Sequence, residues 1–523
     1  MVFRNENTFQ KYVNNGDEKD FHSQYELAIK AVELEFGKNY PILINGRKVT
    51  GRKKVIHSSP NNRDITLGYV QQASSKQVSQ AIRAAAHAFK TWGNMDYSYR
   101  LRIFEKIVDL MRSQKFELAA WLSFENGKNR YEAIADVDEG IDFINYYIEE
   151  MTINHGFVSP SRTHGRKEKN TSIMKPYGVW AIIAPFNFPA AILVGMATGV
   201  LITGNTVIIK PASDTPIIGY KITEIMVEAG IPAGVVNFVT GPGGEIGKML
   251  VESKDIAGIV FTGSREVGYE LIKRSSEVRP RPVIAELGGK NAAIVTKTAD
   301  LDSAVQGVMK AAFSYSAQKC SACSRVYVQE DIKSKFIAKL VKKTEGLIVG
   351  NPVKAETFIG PLINSYAYRN FQKYFRLASK DGKVLTGASL KKDNNLERGF
   401  YVQPTIVTNL PEDHILFKRE LFVPILCVSE YVKFDDALAA CNESEYGLTA
   451  GIYTKKKEEI EKFLNEIEAG VVYVNRKTSA TTGAMVGRQS FGGWKDSGTT
   501  GKGTGGRYYL TQFMREQSQT IEE

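Results

Sequence analysis

Residues 179–216 read VWAIIAPFNFPAAILVGMATGVLITGNTVIIKPASDTP. The apolar stretch at 180–209 is long enough to raise a membrane-spanning helix, but Pro185, Asn187, Pro189, Gly195, Gly199, Gly204 and Asn205 interrupt it. It divides instead into a buried strand at 179–184, a loop, a core helix and a second strand at 206–209. Further short apolar runs at 235–239 and 259–261 alternate with amphipathic helices at 217–228 and 246–252. Alternation of this kind implies a parallel sheet with helices on its faces. A second alternating region starts near Ala292, with helices at 303–316 and 333–344. Upstream, residues 77–123 and 118–150 show helical spacing, and the polar face of the latter carries Glu132, Asp136, Glu139 and Asp142. The polar, basic segment 154–170 has no helical periodicity and is expected as an excursion from the domain or a surface loop.

A chain of 523 residues exceeds what one hydrophobic core sustains, so two or more domains are expected. A composition of 43% hydrophobic and 24% charged residues excludes a disordered or fibrous chain. The formal charge of +11 comes from scattered Lys and Arg without zinc-finger spacing or an RNA-recognition signature, so a basic solvated surface is expected and nucleic acid is not. Cys320, Cys323, Cys427 and Cys441 are too few and too clustered for a disulfide framework. The N-terminal MVFRNENTFQKYVNNGDEKD lacks an apolar signal region. A cytoplasmic protein with no membrane segment is the expectation.

Three segments could carry chemistry. In QKCSACSR, Cys320 follows a helix-like run beside Lys319 and would need a base or donors to become a thiolate nucleophile. By itself C-x-x-C also permits a redox pair, half a zinc site or two core thiols. Zinc is disfavoured because Cys427 and Cys441 lack paired spacing and the six histidines are scattered, so no metal is expected. A papain-like site would have only His414 downstream, without a signature. In VIAELGGKN, Glu286 ends a short strand before Gly288 and Gly289, where a carboxylate is free to act as a general base or to remain an ordinary solvated side chain. In IIAPFNFPAAI, the Asn187 amide could donate to an oxyanion or satisfy a local turn. TGPGGEIG departs from the dinucleotide fingerprint at Ile246, and FTGSREVG has Tyr269 where a P-loop needs lysine. Both still place glycines, and the second Ser264, at a helix N-terminus suited to a pyrophosphate.

In order, PFNF, KPASDTP, FTGSREVG, ELGGKN, QKCSACSR, ELFVP and SFGGWKDSG resemble the aldehyde dehydrogenase superfamily over nearly the whole chain. The resemblance implies an α/β aldehyde dehydrogenase-like fold. A Rossmann-like NAD(P)-binding domain is expected at 1–150 and 176–288, an α/β catalytic domain at 289–498, and a small β oligomerisation element at 151–175 and 499–523. It implies a Cys320 thiohemiacetal whose oxyanion is held by Asn187 and the Cys320 N–H, and a Glu286-activated water that releases the acid from a thioester. Cofactor contacts would come from Lys210 and Ser213 at the adenosine ribose, Gly263, Ser264 and Gly268 at the pyrophosphate, and Glu420 and Phe422 at the nicotinamide.

Ser213 stands where many NAD-specific members have a glutamate that would repel a 2′-phosphate, so NAD and NADP are both expected cofactors. FRNENTF, EGIDF, TGAMVG and SGTTGKGTGG resemble the Δ1-pyrroline-5-carboxylate dehydrogenase branch. That resemblance implies glutamate γ-semialdehyde as the small-molecule substrate, with its carboxylate on Ser321, Gly483 and Ala484, its aliphatic part between Phe188 and Phe491, and its amino group near Glu139. NRKTSATTGAMVG is longer than expected of that branch, which leaves succinate or malonate semialdehyde open. The C-terminal YYLTQFMREQSQT strand offers an edge for pairing with another subunit, so a homo-oligomer is expected.

Overall fold

Five apolar runs pair in parallel, in the order Val283–Glu286, Ile256–Thr262, Val179–Ile183, Thr206–Lys210 and Val236–Phe238. In this computed structural model, which describes residues 4–6, 9–163, 167–387, 396–477 and 485–522, Ile42–Ile44 and Arg47–Val49 add antiparallel strands to complete a seven-stranded sheet. The register sets Ile183 opposite Lys210 and Thr262 opposite Glu286, so Lys210 and Glu286 emerge along the carboxyl edge, where open α/β sheets bind ligands.

The apolar stretch that resembled a membrane span resolves into the strand Val179–Ile183, the helix Ala191–Ile202 and the strand Thr206–Lys210. Every residue of that helix except Ile192 is buried, which explains an apolar run with no helical period. Among the described residues no helix is long and apolar enough to cross a membrane.

The second alternation builds another seven-stranded sheet, ordered Lys383–Thr386, Thr405–Thr408, Ile425–Tyr431, Cys323–Gln329, Asn291–Val295, Thr449–Tyr453 and Val471–Val474. Only the edge strand Lys383–Thr386 runs antiparallel. The helix expected at 303–316 stops at Phe313, because Ser314 leaves the helical region and Tyr315–Ala317 take left-handed backbone. The helix expected at 246–252 starts as a wide π turn, Gly243–Gly247, before Lys248–Glu252.

The region expected to be helical at 77–150 forms Ser75–Trp92, Tyr97–Ser113, Lys115–Glu125 and Arg130–Ile153. Ser74 and Gln77 make a reciprocal capping box at the first of these. The segment read as an excursion or surface loop carries two strands, Val158–Pro160 and Glu168–Pro176. Glu168–Pro176 pairs antiparallel with Met514–Glu522 along its whole length. Both strands are exposed or half-buried nearly throughout, so neither shows the apolar alternation that marks a strand packed on a core.

Candidate active site

Cys320 lies between the helix Leu301–Phe313 and the strand Cys323–Gln329, on a turn where Tyr315, Ser316 and Ala317 have φ of 51°, 54° and 57°. Three successive left-handed non-glycine residues cost about 1–3 kcal/mol each and must be held by their surroundings. The Tyr315 hydroxyl donates to the Asn126 carbonyl at 3.1 Å and Ser316 Oγ to the Gly360 carbonyl at 2.7 Å. Gln318 Oε1 accepts the Ile363 N–H at 2.8 Å.

Asn291, whose role the sequence did not reveal, fixes the other side of the nucleophile. Its amide donates to the Cys320 carbonyl at 2.7 Å and the Ala322 carbonyl at 2.9 Å, and its oxygen accepts the Thr449 N–H at 2.9 Å. A Cβ on Gly289 would lie 2.5 Å from the Cys320 carbonyl oxygen, so the second glycine of ELGGKN lets this backbone approach. The Cys320 thiol is pushed up, first by burial and then by the carboxylates of Glu420 and Glu286. Cys323, by contrast, is a buried strand residue whose thiol faces the Arg325 carbonyl.

Glu286 ends its strand with Oε2 accepting the Gly493 N–H at 2.9 Å, and burial raises its carboxyl to about 8. Glu420 accepts the Gly289 N–H at 3.0 Å and is raised to about 7 by burial. A Cβ on Gly288 would meet the Glu420 carboxylate at 2.3 Å, so the two glycines serve different neighbours.

Asn187, Gly263, Ser264, Gly288, Cys320, Glu420 and Phe422 line one cleft of about 330 Å³. Phe422 adopts a φ of 56° and packs edge-on to Phe186 at 5.7 Å. Ser264 caps the helix Arg265–Val278. Gly268 lies inside that helix, where a Cβ would strike Leu287 at 2.3 Å, so the structure places it at a helix–sheet packing contact. A smaller pocket lined by His57, Ser213, Thr240 and Gly241 adjoins the cleft, with Ala212 lining both. Lys210 is buried at its strand end, donates to the Pro211 carbonyl at 3.0 Å and is lowered to about 8 by burial against the opposing pull of Asp214. A groove with a helix N-terminus at its middle and a carboxylate and an aromatic ring beside the thiol suits a dinucleotide.

On the other side of the thiol, Phe188 is buried and Ser321 fully so, while Phe491 is half-buried and paired with Thr504 in both directions. Gly483 and Ala484 lie outside the described residues. The acidic face of the helix Arg130–Ile153 is largely buried, and its carboxylates have partners. Lys319, next to the nucleophile, donates to Glu132 at 2.6 Å, and Lys128 to Asp136 at 2.7 Å. Lys115 pairs with Asp138 at 2.5 Å. The Lys128 ammonium also sits 3.6 Å from the Phe188 ring centroid and 4.9 Å from that of Tyr315, a cation–π clamp on both. Glu139 lies two turns beyond Glu132 on the same helix, about 10 Å along its axis. The signal available for Glu132 and Asp136 was their i, i+4 spacing on a helix otherwise rich in apolar residues.

A thiol backed by an amide donor, a buried carboxylate with a raised pKa and a dinucleotide groove defines a dehydrogenase that works through a covalent cysteine adduct. The sequence pattern of the aldehyde dehydrogenase family matches residues 48–519, and the chain belongs to that family. It is 39% identical over 505 residues to 1-pyrroline-5-carboxylate dehydrogenase 1 of Halalkalibacterium halodurans, covering 95% of this chain and 96% of that protein. The Thermus thermophilus 1-pyrroline-5-carboxylate dehydrogenase structure superposes with a TM-score of 0.93 at 36% identity, covering 100% of this chain and 99% of that one. A further structure of the Thermus enzyme, with bound NAD, matches equally well. Proline utilization A of Bdellovibrio bacteriovorus also matches at 36% identity and a TM-score of 0.93, but there the chain spans only 53% of the longer protein.

Proposed function

We propose that this enzyme oxidises L-glutamate γ-semialdehyde, the opened form of 1-pyrroline-5-carboxylate, to L-glutamate in proline and arginine catabolism, with NAD as hydride acceptor. The observation that carries the reading is the shared cleft of about 330 Å³, which Cys320, Asn187, Glu420 and Phe422 line together. Likeness to the 1-pyrroline-5-carboxylate dehydrogenases over both full lengths supports the substrate.

Lys210, Ser213, Ser264, Glu420 and Phe422 would hold the cofactor, whose nicotinamide supplies the hydride acceptor. Cys320 Sγ attacks the aldehyde carbon, and the Asn187 amide with the Cys320 N–H receives the oxyanion. At the thioester stage Glu286 takes a proton from the attacking water, the C–S bond breaks, and the acid leaves as the thiol is restored. Ser321, Gly483 and Ala484 would take the substrate carboxylate, and Phe188 and Phe491 its aliphatic chain. The substrate's amino group would go to a carboxylate of the Arg130–Ile153 helix, Glu139 or Glu132, the second of which is paired with Lys319 beside the nucleophile. Ser213 in place of a glutamate leaves the 2′ position of the ribose unopposed, so NADP is accepted as well.

The four free cysteines favour a reducing, cytoplasmic setting. The exposed strand Met514–Glu522 is at the edge of its sheet and would pair with another copy of the chain. The purified enzyme mixed with pyrroline-5-carboxylate and NAD should generate reduced-nicotinamide absorbance, and Cys320→Ala should abolish it. Silence with pyrroline-5-carboxylate alongside turnover of succinate or malonate semialdehyde would overturn the substrate assignment, and turnover by Cys320→Ala would overturn the mechanism.

A further inference from the structure

Asn5 reaches two elements far along the chain. Its side-chain amide donates to Asp142 Oδ2 at 3.1 Å and to the Val486 carbonyl at 3.1 Å, while the Glu6 N–H donates to Asp142 Oδ1 at 2.6 Å. Arg112 Nε holds the Glu6 carboxylate at 2.9 Å. Both partners of the Asn5 amide are acceptors, so the position demands two donors, which a carboxylate of the same shape lacks. Asp142 is 6% exposed, and the charged groups acting on it are Glu6 of the N-terminal segment and the Lys115–Asp138 pair.

Val486, 1% exposed, opens a segment that continues to the active site. Gly487 N–H donates to the Gly505 carbonyl at 3.0 Å, and Phe491 and Thr504 exchange backbone hydrogen bonds at 3.0 and 2.8 Å. Two residues further on, the Gly493 N–H holds Glu286. The segment that steadies the catalytic carboxylate at one end is therefore anchored at the other by Asn5 and, through Asn5, to the helix Arg130–Ile153.

We infer that Asn5 is a positioning residue for the aldehyde side of the active site: the N-terminal segment straps residues 485–493 to the Arg130–Ile153 helix and so sets where the substrate's far end is received. This inference rests on the semialdehyde reading, and turnover by the parent enzyme checks that reading separately, before any variant is compared.

The test is steady-state kinetics and thermal melting of Asn5→Ala and of the double exchange Asn5→Asp with Asp142→Asn. In the exchange, the new amide at 142 donates to the new carboxylate at 5, and its oxygen still accepts the Glu6 N–H. The segment–helix bond is restored, but the Val486 carbonyl now faces an acceptor. The expected result is a rise of about tenfold in aldehyde KM for Asn5→Ala with cofactor KM unchanged. In the exchange, only part of the lost melting temperature returns, because the buried Val486 carbonyl is left without a donor, while aldehyde KM stays raised. An unchanged aldehyde KM in Asn5→Ala, or an exchange that restores KM together with the melting temperature, would overturn the inference.

Discussion

Asn291→Ala isolates the support of the nucleophile from the nucleophile itself. The substitution removes three hydrogen bonds at 2.7, 2.9 and 2.9 Å and strands the Cys320 and Ala322 carbonyls and the Thr449 N–H. At about 1 kcal/mol net for each bond, the fold loses about 3 kcal/mol. The catalytic loss is larger than that stability loss suggests, because a displacement of Cys320 of about 1 Å costs on the order of a hundredfold in rate. Asn291→Asp sharpens the reasoning: one oxygen still accepts from Thr449, but the other now faces two carbonyls that had received donors. The expected order of kcat is parent, then Ala, then Asp, measured by reduced-nicotinamide absorbance at saturating aldehyde and cofactor. Binding of NAD, read by fluorescence quenching, should change little in either variant. A kcat for Asn291→Ala within twofold of the parent, or an Asp variant more active than the Ala variant, would refute the claim that this side chain positions Cys320.

Because burial raises Glu286 to about 8, above the ordinary carboxylate range, its base form is only about one-tenth populated at pH 7. Thioester hydrolysis should therefore rise through pH 8, and Glu286→Gln should lose that limb while keeping a burst of one reduced nicotinamide per site in stopped flow. The two glycines of ELGGKN should separate kinetically. Gly288→Ala pushes the Glu420 carboxylate and should raise cofactor KM several-fold, whereas Gly289→Ala meets the Cys320 backbone and should lower kcat on the order of a hundredfold. Lys128→Met leaves Asp136 buried without its ammonium and should cost about 3–5 kcal/mol in denaturant melts. Adding Asp136→Asn, which keeps an acceptor for the Ala191 N–H, should recover most of that loss.

What the sequence made legible is what periodicity and motif chemistry encode. Both parallel sheets followed from alternating strands and helices, and Cys320, Asn187 and Glu420 came to line one cleft, with Glu286 close enough for its charge to act on the thiol. What stayed hidden were contacts made across long loops. The strand Glu168–Pro176 shows no period of its own, because it has no buried face to impose alternation, and it was the family resemblance that joined 151–175 to the C-terminal segment where its partner lies. Asn291 was visible as a motif letter, but its work is to join Cys320 to Thr449, which lies five strands further along the chain.

The acidic helix face is the most instructive case. Glu132, Asp136, Asp138 and Asp142 look like surface carboxylates in one dimension, yet buried carboxylates must be paired, and the chain supplies a partner to each from a different place. Lys319 comes from beside the nucleophile, Lys128 from the preceding turn, Lys115 from the start of the neighbouring helix, and Asn5 from the N-terminal segment. Two of those partners end at the aldehyde cleft, Lys319 next to Cys320 and Lys128 against Phe188, and Asn5 reaches the segment that holds Glu286. The helix is thus the common footing for three parts of the site that are remote in sequence. Substitutions on its buried face should shift aldehyde kinetics even where no side chain there touches the aldehyde.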